Sequence, residues 1–269
     1  MMLINGLPAD TVSAADRGLA YGDGVFRTIE LVSGRPRLWR WHYARLRDDC
    51  RRLRLLCPDE SLLFGELAVC SANLERAVAK VVITRGVGKR GYAMPGDAMP
   101  TRIVSAAAWG GYPGTLAEHG VTVRVCELRL SRQPLLAGIK HLNRLENVLA
   151  RSEWDDPAIF EGLLLDEDGR VIEGTMSNLF YVRDGVLCTP KLDFCGVSGA
   201  LRAWLMAAAS EAGCPVSETR PELTELLDAD ELFLGNSLLG VVPVAELAQR
   251  RWSAFPVTRH WQQRLLDEN

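Results

Sequence analysis

Lysine is rare in this chain: the 31 Lys and Arg residues include lysine only at positions 80, 89, 140 and 191. Arginine supplies the rest of the solvated positive charge. Lys140 lies in Gly138-Ile139-Lys140-His141-Leu142-Asn143-Arg144-Leu145-Glu146-Asn147, behind the apolar run Leu135-Leu136-Ala137. An amine that sheds its proton attacks a carbonyl and forms a Schiff base, whereas a guanidinium stays protonated at any ordinary pH. Taken alone, Lys140 also suits a half-buried lysine snorkelling from a helix start. Farther along, Glu173 sits in Gly169-Arg170-Val171-Ile172-Glu173-Gly174-Thr175-Met176-Ser177-Asn178-Leu179-Phe180, a polar turn between two strand-like runs. Taken alone, Glu173 is a solvated hairpin carboxylate.

Five stretches taken in order carry a resemblance. They are Ala20-Tyr21-Gly22-Asp23-Gly24-Val25-Phe26-Arg27-Thr28, Thr84-Arg85-Gly86, Arg90-Gly91-Tyr92, Ala137 to Glu146, and Asn178-Leu179-Phe180. Together they resemble the fold-type IV pyridoxal phosphate enzymes, which include branched-chain and D-amino acid aminotransferases and the aminodeoxychorismate lyases of folate biosynthesis. The resemblance runs from Leu3-Ile4-Asn5-Gly6 to the Asn236 region. It implies that Lys140 holds pyridoxal 5'-phosphate and, once displaced, serves as acid and base. Glu173 would keep the pyridine nitrogen protonated, making the ring an electron sink.

The resemblance also implies a set of cofactor-binding residues: Arg45, Lys140, Glu173, Asn178, Val197, Ser198, Asn236 and Ser237. Arg45, in His42-Tyr43-Ala44-Arg45, offers a planar fork for phosphate oxygens, although Arg40, Arg47, Arg51 and Arg52 crowd the same segment. Gly196-Val197-Ser198-Gly199 would meet the anion with backbone N–H groups at a helix start, a reading compatible with an ordinary cap. Gly235-Asn236-Ser237 matches the second phosphate-side loop. Thr28, Arg90 and Tyr92 would face the substrate, with Arg85 or Lys89 as substitutes.

Leu145 stands where branched-chain aminotransferases have a tyrosine, and D-amino acid aminotransferases share leucine there. The string His141 to Glu146, with Gly22-Asp23-Gly24, resembles the lyase branch. The implied reaction is conversion of 4-amino-4-deoxychorismate to 4-aminobenzoate and pyruvate by a homodimer. The alternatives are a D-amino acid or branched-chain aminotransferase and, from another class, a non-catalytic binding module. Ser198 and Ser237 have no base nearby in sequence, so a hydrolase triad has no support.

These residues need elements to position them. The resemblance implies an α+β chain of two domains, residues 1–109 and 118–269, with the cofactor at their interface. The Gly/Pro cluster Gly110-Gly111-Tyr112-Pro113-Gly114 marks a linker over 110–117. In the first part, helical spacing predicts helices over 39–56 and 61–76, with strands at 25–31, 80–84 and 101–107 and a turn at Ser33-Gly34. In the second part, a strand at 121–128 precedes a helix over 141–154, and Asp166-Glu167-Asp168-Gly169 turns the hairpin that carries Glu173. Ser198 is the expected N-cap of a helix over 199–212 that stops at Gly213. A strand at 231–234, an apolar segment at 241–247 and a final helix ending near Leu266 follow.

Composition narrows the classes. A 48% hydrophobic and 24% charged chain of 269 residues has ample material for a buried core. The net charge of −3 gives no basic footprint for nucleic acid, and no apolar run reaches membrane-spanning length. The seven cysteines are odd in number and form no Cys-x-x-Cys pair, which points to reduced thiols in a cytoplasmic protein and away from zinc or a disulfide framework. Small molecules are therefore the expected partners, with no metal, membrane or nucleic acid.

Overall fold

The computed structural model describes residues 1–268, and the chain divides into two compact units. Met1–Gly111 with Lys140–Asn143 forms the first, and Tyr112–Ile139 with Arg144–Asn269 the second. The four-residue return of the chain to the first unit carries the lysine singled out above.

The first unit contains strands β1 (Met2–Ile4), β2 (Leu7–Pro8), β3 (Gly24–Val32), β4 (Arg35–Pro36), β5 (Arg76–Thr84) and β6 (Arg102–Ala108), with helices α1 (Arg17–Tyr21), α2 (Trp39–Arg52) and α3 (Glu60–Cys70). The strands form one antiparallel sheet in the order β2-β1-β6-β5-β3-β4. Period-two alternation buries Ala77, Ala79, Val81 and Ile83 on one face of β5, and Val25, Arg27, Ile29 and Leu31 on one face of β3. Helix α2 lies against β3 through His42, Leu46, Asp49 and Cys50, all buried. Phe26 and Thr28 therefore project from the other face of β3. Since β4 pairs β3 only at Leu31 and Val32, the first half of β3 keeps a free edge on that side.

The second unit contains β7 (Val121–Leu130), β8 (Ile159–Asp166), β9 (Val171–Gly174), β10 (Asn178–Arg183), β11 (Val186–Pro190), β12 (Val216–Thr219), β13 (Glu231–Asn236), β14 (Gly240–Leu247) and β15 (Arg250–Arg251). Its helices are α4 (Gly114–His119), α5 (Leu145–Arg151), α6 (Ala200–Glu211), α7 (Leu223–Leu227) and α8 (Pro256–Leu266). The strand order is β12-β11-β10-β13-β14-β7-β8-β9, with β15 beside β14; β7 is parallel to both β14 and β8, and β11 to β12. Strands β8, β10 and β13 are nearly continuously apolar, and Leu163, Leu179, Leu232 and Leu234 share one buried cluster. Each such leucine contributes about 1.5–3 kcal/mol relative to an exposed one, which fixes the strand ends firmly. Antiparallel pairing of Asn178 with Gly235 brings the start of β10 and the end of β13 to the same edge of the sheet.

Several boundaries differ from the sequence reading; the helix expected over 39–56 ends at Arg52, and the strand expected at 80–84 begins at Arg76. The helix expected over 141–154 begins only at Leu145, because residues 140–142 are extended and pair with the free edge of β3. Helix α3 stops at Cys70 rather than 76: Asn73 turns the chain at φ 68°, and the alternating alanines and valines that follow enter β5. Gly199, not Ser198, is the N-cap of α6, whose C-terminus does meet Gly213 at φ 70°.

Candidate active site

In the first unit, Lys140 lies on an improvised strand. The Phe26 N–H donates to the Lys140 carbonyl at 3.0 Å, Leu142 N–H donates to the Gly24 carbonyl at 3.0 Å, and Val25 bridges His141. Extended backbone sends successive side chains to opposite faces, so Lys140 and His141 diverge more than they would on a helix. The Lys140 ammonium sits 4.7 Å from the centre of the Phe26 ring. Gly22-Asp23-Gly24 must be glycine at both ends: a Cβ on Gly22, at φ 66°, would lie 2.1 Å from Asn143 Oδ1, and one on Gly24 would lie 2.5 Å from the Ile83 carbonyl.

The backbone of Lys140 is pinned from beneath. Asp49 Oδ2 accepts its N–H at 3.1 Å and also pairs with Arg27, both side chains being buried. Burial pushes the Asp49 carboxyl up, against the attraction of Arg27. Beside them His42 is 2% exposed, and neither ring nitrogen has a hydrogen-bond partner among the described residues. Burial, then the positive charges of Arg27 and Lys140, lowers its pKa to about 3, so the imidazole is neutral.

Arg45 lies on the same helix, 3.6 Å from Asp48 and 3.9 Å from Asp49 through Nη2. Its buried Nε has no partner among the described residues, a donor suited to an incoming anion. Thr28 is half-buried on β3, opposite Lys80 in register. Arg90 and Tyr92 are exposed, Tyr92 at 87%. Their loop is tied down by Arg17 Nη1, which donates to the Gly91 carbonyl at 2.9 Å, and by the Tyr21 hydroxyl, which accepts from Gly91 N–H at 3.1 Å. Arg85 is committed elsewhere, donating to Asp23 and to the carbonyls of Leu53 and Arg54.

The second unit gathers the other candidates at one sheet edge. Glu173 on β9 is 3% exposed, and its Oε2 accepts from Val197 N–H at 2.9 Å and from Asn178 Nδ2 at 3.4 Å. Asn178 is a clamp: Nδ2 also donates to the Val197 carbonyl at 2.7 Å, and Oδ1 accepts from Gly199 N–H at 3.1 Å. Ser198 N–H donates to the Gly138 carbonyl at 2.9 Å. The backbone donors of 197–199 thus shape the loop itself, and anion-binding capacity lies in the Ser198 hydroxyl and the first turn of α6, where the helix dipole adds positive potential. Asn236 organises its own turn, accepting from the N–H groups of Leu238 and Leu239 at 2.9 and 2.8 Å and donating to the Met176 carbonyl at 3.1 Å, with Ser237 half-buried inside that turn.

Sequence reasoning passed over Glu161. It is fully buried on β8 and accepts from the N–H groups of Gly162, Thr175 and Met176 and from the hydroxyls of Thr175 and Ser177, at 2.5–3.1 Å. Four of these donors, from Thr175, Met176 and Ser177, fix the turn that joins Glu173 to Asn178. The available signal was a charge inside the otherwise apolar run Ile159-Phe160-Glu161-Gly162-Leu163-Leu164-Leu165. Arg27 and Asp49 were passed over as well.

The side chains therefore supply an amine against an aromatic face, a buried carboxylate held by an amide clamp, and anion donors at Arg45 and at a helix start. No group of three or more His, Cys, Asp or Glu among the described residues could hold a metal ion, and no helix is long and apolar enough to cross a membrane.

Residues 24–247 match the family described as amino-transferase class IV. The chain is 38% identical over 248 residues to an aminodeoxychorismate lyase of Vibrio harveyi, covering 92% of each chain. It is 30% identical to a D-alanine aminotransferase of Listeria monocytogenes, covering 88% of this chain and 82% of that one. Among solved structures, the 4-amino-4-deoxychorismate lyase from Pseudomonas aeruginosa superposes with a TM-score of 0.95 at 46% identity, covering 100% of this chain and 99% of that one.

Proposed function

The chain belongs to the amino-transferase class IV family, and from that premise we propose that it is a pyridoxal phosphate-dependent lyase converting 4-amino-4-deoxychorismate to 4-aminobenzoate and pyruvate. The observation that carries this reading is the likeness, over almost its whole length, to the Pseudomonas lyase. The residues fit the cofactor. Buried Glu173 suits a protonated pyridine nitrogen, and the unpartnered Nε of Arg45 suits a phosphate oxygen.

In this reading Lys140 carries the cofactor and Glu173 holds a proton at the ring nitrogen. Arg45, Ser198 with the first turn of α6, and Ser237 hold the phosphate, while Asn178, Val197 and Asn236 keep those groups in place. Bound in this way, pyridoxal phosphate supplies an electron sink next to the carbon that bears the substrate amine. Lys140 Nζ takes the proton from that carbon, and loss of the neighbouring enolpyruvyl group then leaves an aromatic ring. Arg90, Tyr92 and Thr28 orient the substrate, whose two carboxylates account for a cationic loop. The protein works as a homodimer in the cytoplasm, a reading supported by the family and by seven thiols that form no disulfide.

Purified protein given aminodeoxychorismate should release 4-aminobenzoate and pyruvate in equal amounts. Turnover of D-alanine or L-isoleucine with 2-oxoglutarate at a higher kcat/KM would assign the chain to the aminotransferases instead.

A further inference from the structure

Two of the chain's four lysines converge on one aromatic ring. Lys140 Nζ lies 4.7 Å from the centre of Phe26, and Lys80 Nζ lies 5.1 Å from the same centre, so the two nitrogens are no more than about 10 Å apart. Lys80 reaches the ring from β5. In the antiparallel register it stands opposite Thr28 of β3 on one side and Ser105 of β6 on the other. Cross-strand neighbours share a sheet face, so Phe26, Thr28, Lys80 and Ser105 all project from the face turned away from α2.

This row is open and uncommitted. Lys80 is exposed, and Thr28 and Ser105 are half-buried beside it, each about 5 Å away at Cβ. The acid on this face of β3 is already engaged: Glu30 accepts from Arg76 at 2.6 Å and from Arg37 at 3.5 Å. Among the described residues no carboxylate pairs with Lys80. An ammonium between two hydroxyls is equipped for a carboxylate, since all three groups donate and the ammonium adds charge to its bonds. An anion held there also offsets the repulsion between two amines around one ring.

We propose that Lys80, with the Thr28 and Ser105 hydroxyls, binds a carboxylate of the substrate. Lys80 gains this role from the lyase reading, in which the substrate amine comes to Lys140 and the substrate carries two carboxylates. Arg90 takes one of them from its loop, and Lys80 takes the other from the sheet. Arg85 cannot stand in for Lys80, because it is held by Asp23 and by the carbonyls of Leu53 and Arg54. A six-membered ring with its amine at Lys140 bridges the space to Lys80. D-Alanine and L-isoleucine, with one carboxylate each, cannot engage both cations, so Lys80 is a specificity determinant.

The test compares the holoenzyme with its Lys80→Met and Lys80→Arg variants. Methionine keeps an unbranched stem against Phe26 without the charge, and arginine keeps the charge. With aminodeoxychorismate, Lys80→Met should raise KM about tenfold or more with kcat within about threefold, and Lys80→Arg should bring KM back to within about threefold of the parent. Calorimetric titration with the two products, in the absence of turnover, identifies the carboxylate. 4-Aminobenzoate retains the one on the ring, and pyruvate retains the one on the leaving group. Lys80→Met should raise the Kd of one product about fivefold or more and leave the other unchanged. An unchanged KM, a fall in kcat alone, a Lys80→Arg variant no better than Lys80→Met, or product affinities that both move or both stay would each overturn the assignment. A parent inactive with aminodeoxychorismate removes the lyase reading and the role of Lys80 together, whereas an active parent with an unaffected Lys80→Met variant removes only the role of Lys80.

Discussion

Acid should unfold this protein partly through His42. In the fold its pKa is about 3, because burial and the adjacent charges of Arg27 and Lys140 oppose protonation, whereas the unfolded chain titrates near 6.5. As pH falls below about 6.5 the unfolded state takes up a proton that the folded state refuses, so stability present above that pH is lost progressively down to about 3. Between pH 7 and 4.5 the loss from this one group is about 2.5 kcal/mol. Asp49, whose carboxyl is pushed up, acts in the opposite direction, so the informative quantity is a difference between variants. Since neither His42 nitrogen has a partner among the described residues, His42→Leu sacrifices no internal hydrogen bond and should be nearly neutral at pH 7. Urea unfolding followed by tryptophan fluorescence at both pH values should show the parent losing about 2.5 kcal/mol more than the variant. Equal losses would refute the claim that His42 stays neutral in the fold.

Borohydride reduction of the holoenzyme followed by peptide mapping should place the pyridoxyl label on Lys140, and a label elsewhere would remove its assigned role. Glu173→Gln should keep the cofactor, read by absorbance, while kcat drops at least about tenfold, equivalent to about 1.4 kcal/mol in the barrier; parental turnover would discharge Glu173. Glu161→Gln places amide hydrogens against N–H and hydroxyl donors and should cost about 3 kcal/mol of stability in urea unfolding, with a change below about 0.5 kcal/mol counting against the clamp. Arg90→Ala should raise the KM for aminodeoxychorismate about tenfold with kcat within about twofold, the pattern of a lost binding contact; an unchanged KM would take Arg90 out of the substrate site.

Local chemistry made part of this architecture legible. The Asp166-Glu167-Asp168-Gly169 turn, the stop of α6 at Gly213 and the hairpin at Ser33-Gly34 each depend on positive φ angles at the residues that tolerate them. Lys140 stood out by residue type, since an arginine in its place could not form a Schiff base. Long-range pairing was hidden. Leu142 to Leu149 has the composition of a helix, and only the unpaired edge of β3, far back in the chain, explains why its first residues stay extended. Arg27 and Asp49 are ordinary charges in sequence and become a buried pair only once α2 lies on β3. Glu161 announced itself as a charge in an apolar strand, but four of its five donors come from a turn that the sequence could not place beside it.

The visit of residues 140–143 to the first sheet has a consequence for biogenesis. A nascent chain released only as far as Gly111 holds every strand of that sheet, yet it leaves the Phe26 amide and the Gly24 carbonyl without the backbone that satisfies them in the finished protein. The ribosome must emit nearly thirty more residues before the edge can close. The peptide that seals it is the one bearing Lys140. Maturation of the sheet and arrival of the lysine are a single event, so a truncated or stalled product is left with an open β-edge prone to pairing with other chains and without the lysine proposed to carry the cofactor.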